Sequence, residues 1–237
     1  MPAYHPAMPH GSIQEVFPDV FFVTGTMRAE FFGTMWQFSR NMTIVRDGGA
    51  LTLINAVRLD DAGLAALEKL GTVKNVVRIG DMHGVDDRFY VDRYQAKYWV
   101  VDGMTAGEGL TPTNTLREGG EMPFSNCTAF TFGTTTRPEC ILRLDREGGI
   151  MIACDALQNW VAPDEFFDEE TVGKMRDIGF FTPTNLGLAW LQGSQPQAAD
   201  FVRLKQVPFR HALCGHGVPA RDALAGYHAT FNRFFQV

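Results

Sequence analysis

No stretch of the 237 residues approaches the roughly 20 consecutive apolar positions that a membrane-spanning helix needs. The opening MPAYHPAMPHGS has neither the charged nor the apolar region of a signal peptide, so the expected compartment is the cytoplasm. There is also no run of Lys or Arg. With a formal net charge of −6, the chain lacks the electrostatic footprint for nucleic acid or an anionic membrane surface. Cysteine is scarce: Cys127, Cys140, Cys154 and Cys214 are widely spaced, form no C-x-x-C pair, and read as buried reduced thiols. Short-period repeats, low-complexity tracts and linkers are missing too. The expectation is one α/β domain over 1–237 with a frayed segment over 1–12.

What is present is a succession of apolar strand-like runs. Residues 19–26 and 36–47 read as strands, the second turning at Asp47-Gly48-Gly49 into 50–57, which is a hairpin signal. Asp60 or Asp61 can cap a helix ending at Gly71, and a strand follows from Lys74. Further strands are expected over 97–101, 126–134, 139–144, 150–154 and 209–214. Helices are expected over 90–94, 169–178, 195–205 and 219–235.

The strand from Lys74 opens into GDMHGVDDRFY, Gly80 to Tyr90, which sets three carboxylates and one imidazole in seven residues. Two later strands end in the same manner, one at Asp155 and the other at Gly215-His216-Gly217. An acid closing an apolar strand is costly unless it is solvated, hydrogen-bonded or bound to a metal, and strand ends are where α/β sheets carry chemistry. Each residue also has a structural role open to it. Asp86 or Asp87 can cap the following helix, Asp155 can hold its own turn, and His83 or His216 can be a hydrogen-bonded imidazole. Arg40, Asn41, Asn159 and Trp160 lie near strand ends and are candidates for substrate contact, whereas His5, His10, His211 and His228 are given no chemistry.

Taken together, the segments DMHGVDD, GGIMIACDAL and LCGHG resemble the metallo-β-lactamase superfamily over nearly the whole chain. The resemblance implies a four-layer αββα sandwich, with mixed β-sheets in the middle and helices on the outer faces. In that family H-x-H-x-D-H supplies the first ligands, a later Gly-His the next, a strand-end Asp bridges two metals, and a late Gly-His-Gly supplies the last His. Here the first motif is degraded. Placing His83 on its second His puts Asp81 and Asp86 on the flanking His positions and Val85 on the Asp; placing His83 on the first His sets Arg88 in a ligand position. The former is preferred because Arg is a permanent cation. Thr134 stands where the third His is expected.

The implied metal set is His83, Asp81, Asp86, Asp155 and His216, holding one divalent ion (zinc, iron or manganese) in preference to two. Asp86 and Asp155 are the candidate catalytic carboxylates, orienting a water. Two functions compete: a metal-dependent hydrolase of a small ester, amide, lactone or thioester, and an inactive metal-free relative serving ligand binding or assembly. A redox-active iron variant is a third reading. The expected partner is a small molecule. The Phe-Phe pairs suit either core or a homodimer surface.

Overall fold

A computed structural model describes residues 4–237 apart from Phe32 and Glu108. Strands β1 (Gln14–Phe17), β2 (Val20–Phe31), β3 (Thr34–Asp47) and β4 (Ala50–Ile54) pair antiparallel in chain order. The Asp47-Gly48-Gly49 hairpin is where the sequence sets it. Helix α1 (Asp61–Leu70) is capped by Asp60, whose side chain accepts the Gly63 N–H at 2.7 Å, and it buries Leu64 and Leu67. It leads to β5 (Thr72–Arg78), α2 (Asp87–Tyr94), β6 (Lys97–Val101) and β7 (Asn114–Leu116). From β4 to β7 the pairing is parallel, so the described residues form a mixed sheet in the order β1-β2-β3-β4-β5-β6-β7.

The second half supplies β8 (Cys127–Thr131), β9 (Cys140–Leu144) and β10 (Ile150–Ala153), followed by β11 (Leu157–Gln158), α3 (Glu169–Asp177) and β12 (Asn185–Leu186). Then come α4 (Leu188–Ser194), α5 (Ala198–Leu204), β13 (His211–Cys214) and α6 (Leu224–Phe235). A second sheet has the order β13-β10-β9-β8, with β10 and β13 parallel.

Side-chain alternation on β9, β10 and β13 assembles the layers. Leu142, Leu144, Ile150, Ile152 and Leu213 face the first sheet and join its core. Their neighbours Ile141, Met151, Ala153, Ala212 and Cys214 face outward onto Trp190, Phe201, Tyr227 and Phe231 of α4, α5 and α6. Helices α1 and α2 add Leu64, Leu67, Phe89 and Tyr90 to the first core. The result is the expected αββα arrangement. Among the described residues no helix is long and apolar enough to cross a membrane.

Three departures from the sequence reading have local causes. The β2–β3 ribbon runs on to Phe31 and Thr34, because residues 28–31 and 34–37 pair with one another and are too exposed to show an apolar alternation. Of residues 1–12, the first three lie outside the described residues; Gly11 N–H bonds to Thr24 O and Thr26 N–H to Pro9 O. The last helix starts at Leu224, five residues after Pro219, because Ala220 first pairs antiparallel with Ala212 of β13. Short α4, with its buried Trp190, went unseen in a stretch without helical periodicity.

Candidate metal centre

Parallel pairing of β10 with β13 matches Ala153 to Cys214, so Asp155 and His216, each two residues past its strand end, emerge side by side. The third strand end arrives from the other sheet. Gly80 bridges to Glu139 and Ile79 O accepts the Cys140 N–H, which swings the loop after β5 against the second sheet and carries in His83. The result is a tight cluster. His83 Nε2 lies 3.3 Å from His216 Nε2 and 3.5 Å from Asp155 Oδ2, and His216 Nε2 lies 3.0 Å from Asp155 Oδ1. All three side chains are at least nine-tenths buried.

Orientation is fixed from behind. His216 Nδ1 donates to Ser39 O at 3.0 Å, and Trp160 covers the imidazole at 4.6 Å between ring centroids while donating its own Nε1–H to Ser39 Oγ. A carbonyl can only accept, so in the neutral ring the proton sits on Nδ1 and the Nε2 lone pair faces the carboxylate. Two lone-pair atoms 3.0 Å apart repel unless a proton or a cation lies between them. A four-coordinate ion with bonds of about 2.0–2.2 Å holds its ligands roughly 3.3–3.6 Å apart, close to the separations present here, so this donor set fits a small divalent metal. Cys154 Sγ is also within 4.8 Å of the His83 and Asp155 donors, although burial, with the Asp155 charge next, pushes its thiol far above the ordinary range and keeps it protonated.

Electrostatics keep the donors usable. Burial lowers the His83 pKa against the pull of Asp155, which leaves a neutral imidazole with a free lone pair. Burial by itself would raise the Asp155 carboxyl, but whenever a facing imidazole, His83 or His216, takes up a proton, its charge and its hydrogen bond overcome this and hold the carboxyl below the usual carboxylate range.

Two proposed ligands do not reach the cluster. Asp81 is 27% exposed and sits between Arg78, at 3.6 Å, and Arg137, at 3.4 Å. Asp86 is buried in an ion pair with Arg40, and the same Oδ2 accepts the Arg58 N–H at 2.7 Å, leaving that oxygen engaged away from the donors. Asp86 stands at the α2 N-cap position, yet its side chain makes no capping bond. Setting His83 on the second motif His also keeps oxygen donors at Asp81 and Asp86, but both are held by arginines, which leaves the Arg88 cation as the ground for that register.

The substrate-contact candidates are mostly structural. Arg40 is committed to Asp86. Asn41 Nδ2 donates to Cys214 O and Gly217 O, tying β3 to the end of β13. Asn159 clamps Val218 O and the Thr184 N–H. Trp160 alone lies against the cluster, as its wall, joined by Phe38 at 5.8 Å from the His216 ring. Thr134 is turned toward Asp200, whose Oδ2 accepts its hydroxyl at 2.6 Å, so no donor enters from that position. His10 is a tether, its Nε2 accepting the Asp60 N–H at 2.9 Å.

Sequence reasoning missed three residues around the site: Ser39, Arg78 and Glu139. Arg78 closes a buried strand and spends its guanidinium on the carbonyls of Gly80, Asp81 and Thr105, fixing the loop that carries His83. Glu139 opens a buried strand and is 2% exposed. A charged residue bordering an apolar run is the signal that could have flagged both.

Access lies on the His83 side. A groove of about 310 Å³ is bounded by Tyr4 and His5, by Val85, Asp86, Arg88 and Phe89 of the loop and α2, and by Gly107 and Leu110, with His83 in its wall.

No protein-family model matches the chain, and no curated protein matches its sequence. Solved structures do. A metallo-beta-lactamase from Hirschia baltica is 14% identical over 93% of this chain and 96% of its own, with a TM-score of 0.60. One from Erythrobacter litoralis is 13% identical over 97% and 96%, with a TM-score of 0.59. The FIM-1 metallo-beta-lactamase from Pseudomonas aeruginosa in its mono-zinc form is 14% identical over 96% of each chain, with a TM-score of 0.59. The chain has the metallo-β-lactamase fold. At this identity the likeness is one of architecture, and the chemistry has to be argued from the residues themselves.

Proposed function

We propose that this protein is a metal-dependent hydrolase of a small ester, amide, lactone or thioester, with one divalent ion held by His83, Asp155 and His216. The observation that carries this reading is the convergence of three buried side chains from three strand ends, each with a donor atom within 3.5 Å of a donor atom of the other two. The mono-zinc state of the FIM-1 enzyme shows that one such neighbour holds a single ion, which favours zinc over iron or manganese here. Bound at this set, a divalent ion would polarise an electrophilic carbonyl and lower the pKa of a water molecule.

The chain's own residues supply the rest. Asp155 stays ionised and can accept a proton from the attacking water. His216 is held in one tautomer by Ser39 O, and Trp160 and Phe38 exclude solvent on its far side. Asp86, neutralised by Arg40, is a loop anchor and not a base. The groove is at the small end of ligand sites, which suits a compact substrate entering past His83.

Elemental analysis of protein purified without chelator or metal-binding tag tests the reading, beside a His83→Ala/His216→Ala variant. The expected result is close to one metal per chain, lost in the variant. Protein that carries no metal, and whose melting temperature does not rise with added zinc, manganese or iron, would sink it and leave a metal-free binding domain.

A further inference from the structure

We propose that Glu139 is a positioning residue of this centre, its carboxyl fixing the turn that carries Asp155 while its backbone fixes the loop that carries His83. The proposal rests on the metal reading above. Glu139 Oε1 accepts the Ala156 N–H at 2.6 Å, which orients the peptide immediately after Asp155. The Glu139 backbone bridges Gly80, the Cys140 N–H bonds to Ile79 O at 2.9 Å, and Glu139 O accepts the Phe132 N–H. One residue therefore joins the end of β5 in the first sheet to the end of β10 in the second. The donors it unites are 72 positions apart in sequence, His83 and Asp155.

The packing leaves this junction little freedom. A Cβ added at Gly80 would lie 2.5 Å from Cys154 Sγ and 3.2 Å from Glu139 Oε2, so the three residues are in close contact and a displacement of one is passed to the others. A carboxyl 2% exposed beside a second carboxylate is an expensive choice for filling space. Burial, with the Asp155 charge next, raises its pKa. Its work here is to accept the Ala156 N–H, which an amide oxygen of the same reach does as well. Groups that orient metal ligands in this indirect way are worth about 10- to 100-fold in metal affinity.

The test is a cobalt(II) titration of chelator-treated protein, followed by the visible ligand-field spectrum, for wild type, Glu139→Gln, Glu139→Asp and Glu139→Met. Gln keeps an acceptor at the same reach, Asp withdraws it by one methylene, and Met fills the space without one. Wild-type affinity and spectrum are expected in Glu139→Gln, with about 10- to 100-fold weaker binding and an altered spectrum in Glu139→Asp and Glu139→Met. A merely structural role would lower the melting temperature and leave the spectrum of loaded protein alone. Unchanged affinity and spectrum in Glu139→Asp overturn the proposal, as does a tenfold loss in Glu139→Gln; both readouts stand even if Glu139→Met fails to fold. Wild-type protein that takes up no cobalt sinks the metal centre itself, whereas loaded wild type with indifferent variants sinks the positioning role alone.

Discussion

Asp87 offers the sharpest test of the electrostatics in this loop. Its carboxyl is fully buried; Tyr98 OH donates to Oδ2 at 3.0 Å, and Oδ1 has no partner among the described residues. Burial pushes its pKa from 3.8 up to about 6, against the Tyr98 hydrogen bond and the nearby Arg78 charge. A folded-state pKa above the unfolded one means that the native protein binds more protons between those values, so the contribution of Asp87 to stability is fully present below pH 3.8 and is lost as pH rises through 6. At about 1.4 kcal/mol per decade, the displacement amounts to about 3 kcal/mol lost by pH 8. Asp87→Asn removes the ionisation. The Asn side chain places an NH₂ or a carbonyl where Oδ1 lacks a partner, a change that does not depend on pH. Urea unfolding of chelator-treated wild type and variant should therefore show the variant gaining about 2–3 kcal/mol on wild type between pH 4 and pH 8. A difference that stays constant within about 0.5 kcal/mol across that range would show that Asp87 ionises as in water, and the argument from burial would be wrong.

Arg40→Met should destabilise by about 3–5 kcal/mol, because it strands the Asp86 carboxylate in a site where both partners are under a tenth exposed. The Arg40→Met/Asp86→Leu pair should recover most of that loss in denaturant unfolding, and a double variant as unstable as the single one would contradict this. Asn41→Ala leaves Cys214 O and Gly217 O without their donor at 3.0 and 2.7 Å; a loss of at least about 2 kcal/mol is expected, and under 0.5 kcal/mol would mean that water replaces the amide. Cobalt uptake should persist as pH falls past the ordinary histidine value of 6.5, because burial keeps His83 neutral there, and then weaken as the imidazole protonates. Half-loss at or above pH 6.5 in a spectroscopic titration would refute it.

The three strand-end positions were legible because each is a local pattern: an apolar run, then His83, Asp155 or His216 beside glycine or further acids. So were the hairpin at Asp47 and the helix cap, which falls on Asp60 of the two acids offered. These features are set within a few residues by backbone preference and side-chain period, which one chain displays unaided. Which carboxylates face the cluster was not legible. Asp86 is captured by Arg40, 46 positions away, and Asp81 by Arg137, 56 positions away. The expected pocket residues Asn41 and Asn159 are likewise consumed by carbonyls and amides of the strand-end loops. A charge or amide commits to whichever partner the packing of two sheets brings within about 3 Å, and that choice is made in three dimensions. The sequence by itself determined the fold pattern and where ligands could arise. Only the tertiary structure decided that His83, Asp155 and His216 converge while Asp81 and Asp86 turn away, because Arg137 and Arg40, distant in the chain, are pressed against them.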